Sequence, residues 1–356
     1  MFVGLFRLLL AFSVIATHLG FEFGFGGRNS VQIFFLISGY LMSYIIVEKK
    51  SYSSNLKFWT SRALRIFPAY WLVLLVTICL IAVGVASEPI GYISALPLDA
   101  QIIAIFANSA LFFQDIVLFL GVNDGGAIVF APTFDSTPNP LHLSLIVPQS
   151  WSLALELSFY LIAPFVIKRK WALLSILGLS QVLRLIIILL GVGTSDPWTY
   201  RFFPVEIGTF LIGAFIHQYL APRLFKLKGY SSEKFATWLN ITLVCLLVVL
   251  PQVENNMARF AVLLGICAIG LPALFQQQSN SKFDNALGKL SYPVYLWHVL
   301  VIAFITTHIS RVEVASLPIM FTVTCAISVL LSLATVHTLD QNVEKLRKRF
   351  RNTNSS

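Results

Sequence analysis

Apolar runs of near membrane-spanning length recur from one end of the chain to the other, separated by short polar or basic stretches. A run of about 20 apolar residues is long enough to cross a bilayer as a helix. On that basis helices are predicted over residues 2–20, 31–47, 68–86, 151–167, 171–192, 203–220, 236–251, 258–275, 290–309 and 314–336. Pro68 would open the third of these, and Pro293 would sit in the first turn of the ninth, positions where proline is tolerated. Residues 101–121 contain Asn108, Gln114 and Asp115 and are expected to form a re-entrant or half-buried helix. The predicted fold class is all-α, a polytopic membrane protein of about ten transmembrane helices plus this partial one.

The charges between the runs orient them. The loop after the second run carries Lys49, Lys50, Lys57, Arg62 and Arg65. The turn IKRKW, the loop PRLFKLKGYSSEK and the tail VEKLRKRFRN are basic as well, and QQQSNSKFDNALGK holds two lysines. SEPIGYISALPLDA, residues 122–150, GTSDPWTY and PQVENNMA have neither Lys nor Arg. Lys and Arg gather on the cytoplasmic side, so both termini are expected there, with 101–121 on the outer side. Arg7 interrupts the first run and no small-x-small site follows it, so that run is kept as a spanning helix and not read as a signal peptide.

Composition agrees. The chain has 356 residues, 57% hydrophobic and 12% charged, with a mean hydropathy of +0.80. A soluble domain carries about 25% charged residues. The net charge of +9 reflects cytoplasmic loops, and no nucleic-acid partner is expected. Cys79, Cys245, Cys267 and Cys325 all lie inside apolar runs and have neither metal-ligand spacing nor the look of a disulfide framework. No metal site is expected. There is no internal repeat, and the terminal NTNSS is expected to be disordered.

The costly residues are those inside the runs. Arg7 and His18 bracket ten residues in RLLLAFSVIATH. On a helix, eleven steps of about 100° return to within about 20°, after a rise of about 16 Å. The two side chains therefore share one stripe, which should face protein or a water-filled cavity. Arg62 and Arg65, as i, i+3 neighbours, would point the same way and could join Arg7 in a phosphate clamp. Membrane-face anchoring is the plainer reading of that pair. In WSLALELSFY, Ser152, Glu156 and Tyr160 share a helix face behind Trp151. An intramembrane carboxylate is a functional candidate; the structural alternative pairs Glu156 with Arg184 or Arg201. Arg184, Arg201, Glu206 and His298 either line a cavity or form structural pairs. His217, His308 and His337 sit near membrane ends, where a polar tip reaches water. His142 is a loop residue with no visible partner.

Together these stretches resemble the acyltransferase 3 family, integral-membrane O-acyltransferases that modify bacterial surface polysaccharides, exopolysaccharides and Nod factors. The likeness covers nearly the whole chain. It rests on Arg7 with His18 in the first helix; FFLISGYLM, with Tyr40 where the family has phenylalanine; Arg62, Arg65 and Pro68 in FWTSRALRIFPAYW; WSLALELSFYLIAP, with Glu156 at the glutamate position and Leu157 where many members have a second glutamate; and GKLSYPVYLWH.

The resemblance implies a membrane acyltransferase domain over 1–340 and a basic cytoplasmic tail over 341–356, in a bacterial inner (cell) membrane. It implies a cytoplasmic acyl-CoA co-substrate, most often acetyl-CoA, with its phosphates at Arg7, Arg62 and Arg65. It also implies a glycan or lipid-linked sugar acceptor. His18 would then serve as general base, and Glu156 would orient His18 or bind the sugar, while an acyl-histidine intermediate is equally compatible. Only residues 337–356 follow the last predicted run, so the outer hydrolase-like domain of some members is not expected. A competing class is a transporter moving a polar solute through the arginine–histidine cavity. Broken segments in matching halves would favour it, and 101–121 has no counterpart.

Overall fold

The computed structural model describes residues 3–21, 23–84, 89–253, 256–278, 281–308 and 316–350. It is an all-α, multi-pass membrane protein. The helices used below are α1 (Val3–His18), α2 (Gly27–Ser43), α3 (Asn55–Ala82), α4 (Leu98–Ala110), α5 (Trp151–Val166), α6 (Lys170–Leu189), α7 (Phe203–Phe215), α8 (Glu233–Val249), α9 (Asn256–Gln278), α10 (Lys282–His308), α11 (Leu317–Thr335) and α12 (Gln341–Lys348).

Among the described residues, six helices are long and apolar enough to cross a membrane, not ten: Gly27–Glu48, Asn55–Ala82, Lys170–Leu189, Met257–Gln276, Lys282–His308 and Leu317–Leu339. Val3–His18 and Thr237–Gln252 are apolar but short, and α5 has 16 residues. The apolar stretch of α7 runs into a π-helical turn, Ile216–Leu220, that brings in His217 and Gln218. In α1, α5 and α7 most apolar side chains are buried against the rest of the fold, which hydropathy cannot register, whereas Thr237–Gln252 is short but leaves Ile241, Val244 and Val248 exposed. In α1, Phe6 and Leu10 have no exposure. By contrast α6 leaves Leu179, Leu185 and Leu189 outside, as a lipid-facing helix must.

Two boundaries move for a physical reason. α3 begins at Asn55, where the Ser54 hydroxyl caps it by accepting from Lys57 N at 3.3 Å. Arg62, Arg65 and Pro68 are therefore inside that helix and not at its entrance. α10 likewise begins at Lys282, so Pro293 is interior. The basic, amphipathic first halves of both helices carry no long apolar run to announce them.

Residues 101–121 do not form one helix. α4 stops at Ala110, and Leu111 and Phe113 take left-handed backbone angles. The chain then enters a small antiparallel sheet, β1 (Leu120–Val122) between β2 (Ile128–Phe130) and β3 (Asn139–Pro140), with Gly121 opposite Val129 and Pro140. At 13 residues α4 is too short to span, and Ile102, Ile105 and Phe106 stay exposed.

α1 lies between α2 and α10, α2 packs on α7, and α10 on α11. The α2–α7 contact is close because a glycine from each helix faces the other backbone. A Cβ on Gly39 would meet Phe210 O at 1.8 Å, and one on Gly213 would meet Leu36 O at 1.9 Å. The expected tail is partly structured: α12 lies on α3, with Arg347 Nε donating to Ser61 O at 3.2 Å. The NTNSS segment falls outside the described residues.

Candidate active site

The site begins with the anchoring of α1. Its first backbone N–H groups have no partners within the helix. The Asp284 carboxylate supplies them, accepting from Gly4 N and Leu5 N at 2.8 Å each. Only glycine fits at position 4, since a Cβ there would meet Asp284 O at 1.9 Å. This cap fixes the start of the helix one turn before Arg7.

Arg7 opens onto a cavity of about 70 Å³ enclosed by α1, α2, α3, α5 and α10. Its polar wall consists of Arg7, Ser38, Arg65, Ser152, Glu156, Tyr160, Ser291, Tyr292 and Tyr295. Glu156 Oε1 accepts from Ser38 Oγ at 2.7 Å and from the Tyr160 hydroxyl. Among the described residues, neither Arg7 nor Arg65 forms an ion pair. The cavity thus holds two guanidinium groups in no direct ion pair, beside a carboxylate that is hydrogen-bonded to Ser38 and Tyr160.

Arg62 is not part of this wall. It is 2% exposed, donates from Nη2 to Tyr52 Oη at 3.0 Å, and lies 5.8 Å from the Phe58 ring centre. Its buried Nε has no partner. The i, i+3 pair diverges because three helical steps leave about 60° between the side chains. Tyr52 and Phe58 then capture one arginine, while the other faces the cavity.

His18 lies at the far end of α1, exposed, with Nδ1 3.0 Å from Val14 O. Its ring meets His298 edge-on, centroids 4.9 Å apart, and His298 Nε2 is 3.4 Å from His18 Nδ1. His298 is fully buried, with Nδ1 2.7 Å from Tyr295 O. The expected Glu156–His18 pairing is therefore not formed: Glu156 belongs to the Arg7 end, and His298 is the residue that meets His18. Tyr295 joins the two ends. Its hydroxyl, in the cavity wall, contacts Ser152 Oγ at 2.7 Å and Gln149 O at 2.9 Å, while its carbonyl meets His298.

The remaining candidates separate into two groups. Arg201 is sandwiched between Trp151 and Tyr200, at 4.7 and 4.6 Å from their ring centres, and pairs with Asp196 at 3.4 Å. His142, expected to be partnerless, stacks on Phe134 at 4.3 Å. Burial pushes its imidazole below the ordinary histidine range, the Arg201 cation adds to that, and Asp135 opposes it. Away from the cavity, Arg184 pairs with buried Glu206 at 3.1 Å, and Gln32 Nε2 donates to the same carboxylate oxygen at 2.8 Å. His217, expected to reach water, is instead buried between Ser43 Oγ and Glu48 Oε2, each at 3.0 Å.

Sequence reasoning missed Asp284, Ser38, Gln149 and Tyr295. Ser38 and Tyr295 lie within quoted motifs, FFLISGYLM and GKLSYPVYLWH, but no spacing marked them out. Among the described residues, no three His, Cys, Asp or Glu side chains gather as a metal site.

A family profile described as an acyltransferase domain matches residues 2–337. The chain is 29% identical over 328 residues to the peptidoglycan O-acetyltransferase OatA of Listeria monocytogenes, covering 84% of this chain and 49% of that protein. It is 26% identical over 281 residues to the exopolysaccharide production protein ExoZ of Rhizobium meliloti, covering 78% of each. The O-acetyltransferase OatA of Staphylococcus aureus is 26% identical over 328 residues, covering 85% of this chain and 50% of that protein. The chain thus spans about half the length of the OatA relatives it matches. No solved structure matches.

Proposed function

The chain belongs to the acyltransferase 3 family, and from that premise we propose that it transfers a short acyl group, the two-carbon acetyl, from cytoplasmic acyl-CoA to a hydroxyl of a cell-surface or lipid-linked glycan. Family membership makes it an acyltransferase. The observation that carries the finer reading is the cavity in which Arg7 and Arg65 form no ion pair among the described residues. Guanidinium groups not engaged in direct ion pairs are suited to the phosphates of a donor.

Arg7 and Arg65 hold the CoA phosphates at one end of α1. The thioester arm follows the helix, which rises about 16 Å between Arg7 and His18. His18, exposed at the other end, meets the acceptor. It takes the hydroxyl proton as the acceptor oxygen bonds to the thioester carbonyl carbon. The carbon–sulfur bond then breaks, and the departing thiolate takes that proton from His18 to leave as the CoA thiol. Arg62 stabilises the cavity wall through Tyr52 and does not contact the donor, which revises the three-arginine clamp. Glu156, held by Ser38 and Tyr160, sets the polarity of the cavity beside the two arginines. We put both termini in the cytoplasm of a bacterial inner membrane, on the distribution of basic loops.

The test compares O-acyl content of surface glycans, by mass spectrometry, in cells with the protein, without it, and with His18→Ala. The expected result is an acetyl mass increment that disappears in the last two at normal membrane accumulation of the variant. Full acylation by His18→Ala would sink the base assignment, and an increment other than acetyl would overturn the donor.

A further inference from the structure

The two histidines at the end of α1 carry more information than their proximity. A carbonyl oxygen can only accept a hydrogen bond. His18 Nδ1 is 3.0 Å from Val14 O, and His298 Nδ1 is 2.7 Å from Tyr295 O. In each neutral ring the proton therefore sits on Nδ1. His298 Nε2 is then a lone pair, and its neighbour at 3.4 Å is the Nδ1–H of His18. The single Nδ1–H of His18 is shared between Val14 O at 3.0 Å and His298 Nε2 at 3.4 Å, and the Nδ1–H of His298 goes to the Tyr295 carbonyl. His18 Nε2 is left bare.

We propose that His298 is a positioning residue for His18, holding its proton on Nδ1 and thereby presenting the Nε2 lone pair to the acceptor hydroxyl. This rests on the reading of His18 as the base. The division of labour follows from burial: His18 is exposed, while His298 is fully buried and its Nε2 faces His18. Val14 O alone is a loose guide, because it belongs to the last turn of the same helix and also accepts that helix's backbone bond. A buried ring fixed from a different helix limits rotation of the His18 imidazole. The arrangement has the logic of a nucleophile–histidine–carboxylate triad, with a neutral imidazole as third member. Glu156 does not fill that place, being bonded to Ser38 and Tyr160. The 3.4 Å separation is long, as base-orienting hydrogen bonds often are before substrate binds.

The experiment uses the full-length protein with acetyl-CoA as donor probe. Surface-glycan O-acetate is measured in cells carrying His18→Ala, His298→Phe or His298→Gln at matched membrane levels, and acetyl-CoA affinity on each purified protein. His298→Phe, which cannot accept from Nδ1–H, should lower O-acetate about tenfold or more with acetyl-CoA affinity unchanged. His298→Gln, whose Oε1 can accept, should recover most of the loss. Wild-type acetylation by His298→Phe beside an inactive His18→Ala would overturn the positioning role and leave the base reading intact. Activity in His18→Ala would overturn the base reading itself. Should the His298 variants fail to accumulate, ¹⁵N spectra of histidine-labelled wild-type protein, assigned by difference from His18→Ala, decide the matter. An Nδ1–H tautomer for His18 is expected, and an Nε2–H tautomer would refute the proposal.

Discussion

Replacing Asp284 should loosen the first helix and, through it, the donor site. The carboxylate accepts from two backbone N–H groups of the first turn of α1, at 2.8 Å each, and is 1% exposed. In Asp284→Ala both N–H groups lose their acceptor in a buried setting. An unsatisfied buried donor costs about 1–3 kcal/mol, and a carboxylate at a helix N-terminus contributes about 0.3–1 kcal/mol more. Local fraying of the first turn can relieve part of this, so a net loss of about 2–4 kcal/mol is expected. Asp284→Asn keeps the shape and one acceptor oxygen and should lose about half as much, about 1–2 kcal/mol. Arg7 is one turn further along, so a frayed start displaces its guanidinium, and acetyl-CoA affinity should fall with stability. The assays are thermal unfolding of the purified protein in detergent and acetyl-CoA binding by calorimetry, run on wild type and both variants. An Asp284→Ala protein with unchanged unfolding temperature and unchanged affinity would refute the anchoring argument. A loss of stability with full affinity would confine it to folding.

Other consequences can be checked in the same preparations. Gly213→Ala should destabilise by about 1–3 kcal/mol or prevent accumulation, because its Cβ would fall 1.9 Å from the Leu36 carbonyl oxygen; normal unfolding would show that α2 and α7 sit farther apart. Arg65→Ala should weaken acetyl-CoA binding with little change in stability, whereas Arg62→Ala should lower stability by about 1–3 kcal/mol and spare binding; the reverse pattern would restore Arg62 to the clamp. His142 titrates below the usual histidine value of 6.5 in the folded protein, so the unfolded chain binds more protons over the window just beneath 6.5. Stability contributed by neutral His142 is present above that window and is lost as pH falls through it, and His142→Gln should flatten the pH dependence of unfolding there.

The membrane class was readable because apolar runs of this length have few other uses in a folded chain. The number of spans was not, because hydropathy cannot tell an apolar side chain that meets lipid from one that meets another helix. α1 and α5 show this, since both are apolar and both are too short or too buried to be simple spans. Arg7, Arg65, Ser152, Glu156 and Tyr160 were all named from sequence, and one cavity gathers them. Arg62 does not join them because an i, i+3 spacing still leaves about 60° between neighbours, and only the position of Tyr52 shows where that arginine turns. Glu206 and Arg184 were balanced between function and pairing, and the fold does bring them into a salt bridge.

The sequence by itself determined the expensive residues. An arginine, a glutamate and two histidines inside apolar helices had to face one another or a cavity, since lipid offers them no solvation. It could not determine which faces which, because partners come from helices far apart in the chain. His18 meets His298 across 280 positions, and Gly4 is capped by Asp284 across the same separation. Those pairings depend on α10 lying against α1, a packing choice set by side-chain shape along both helices and by the single residue, Gly4, small enough to let Asp284 approach.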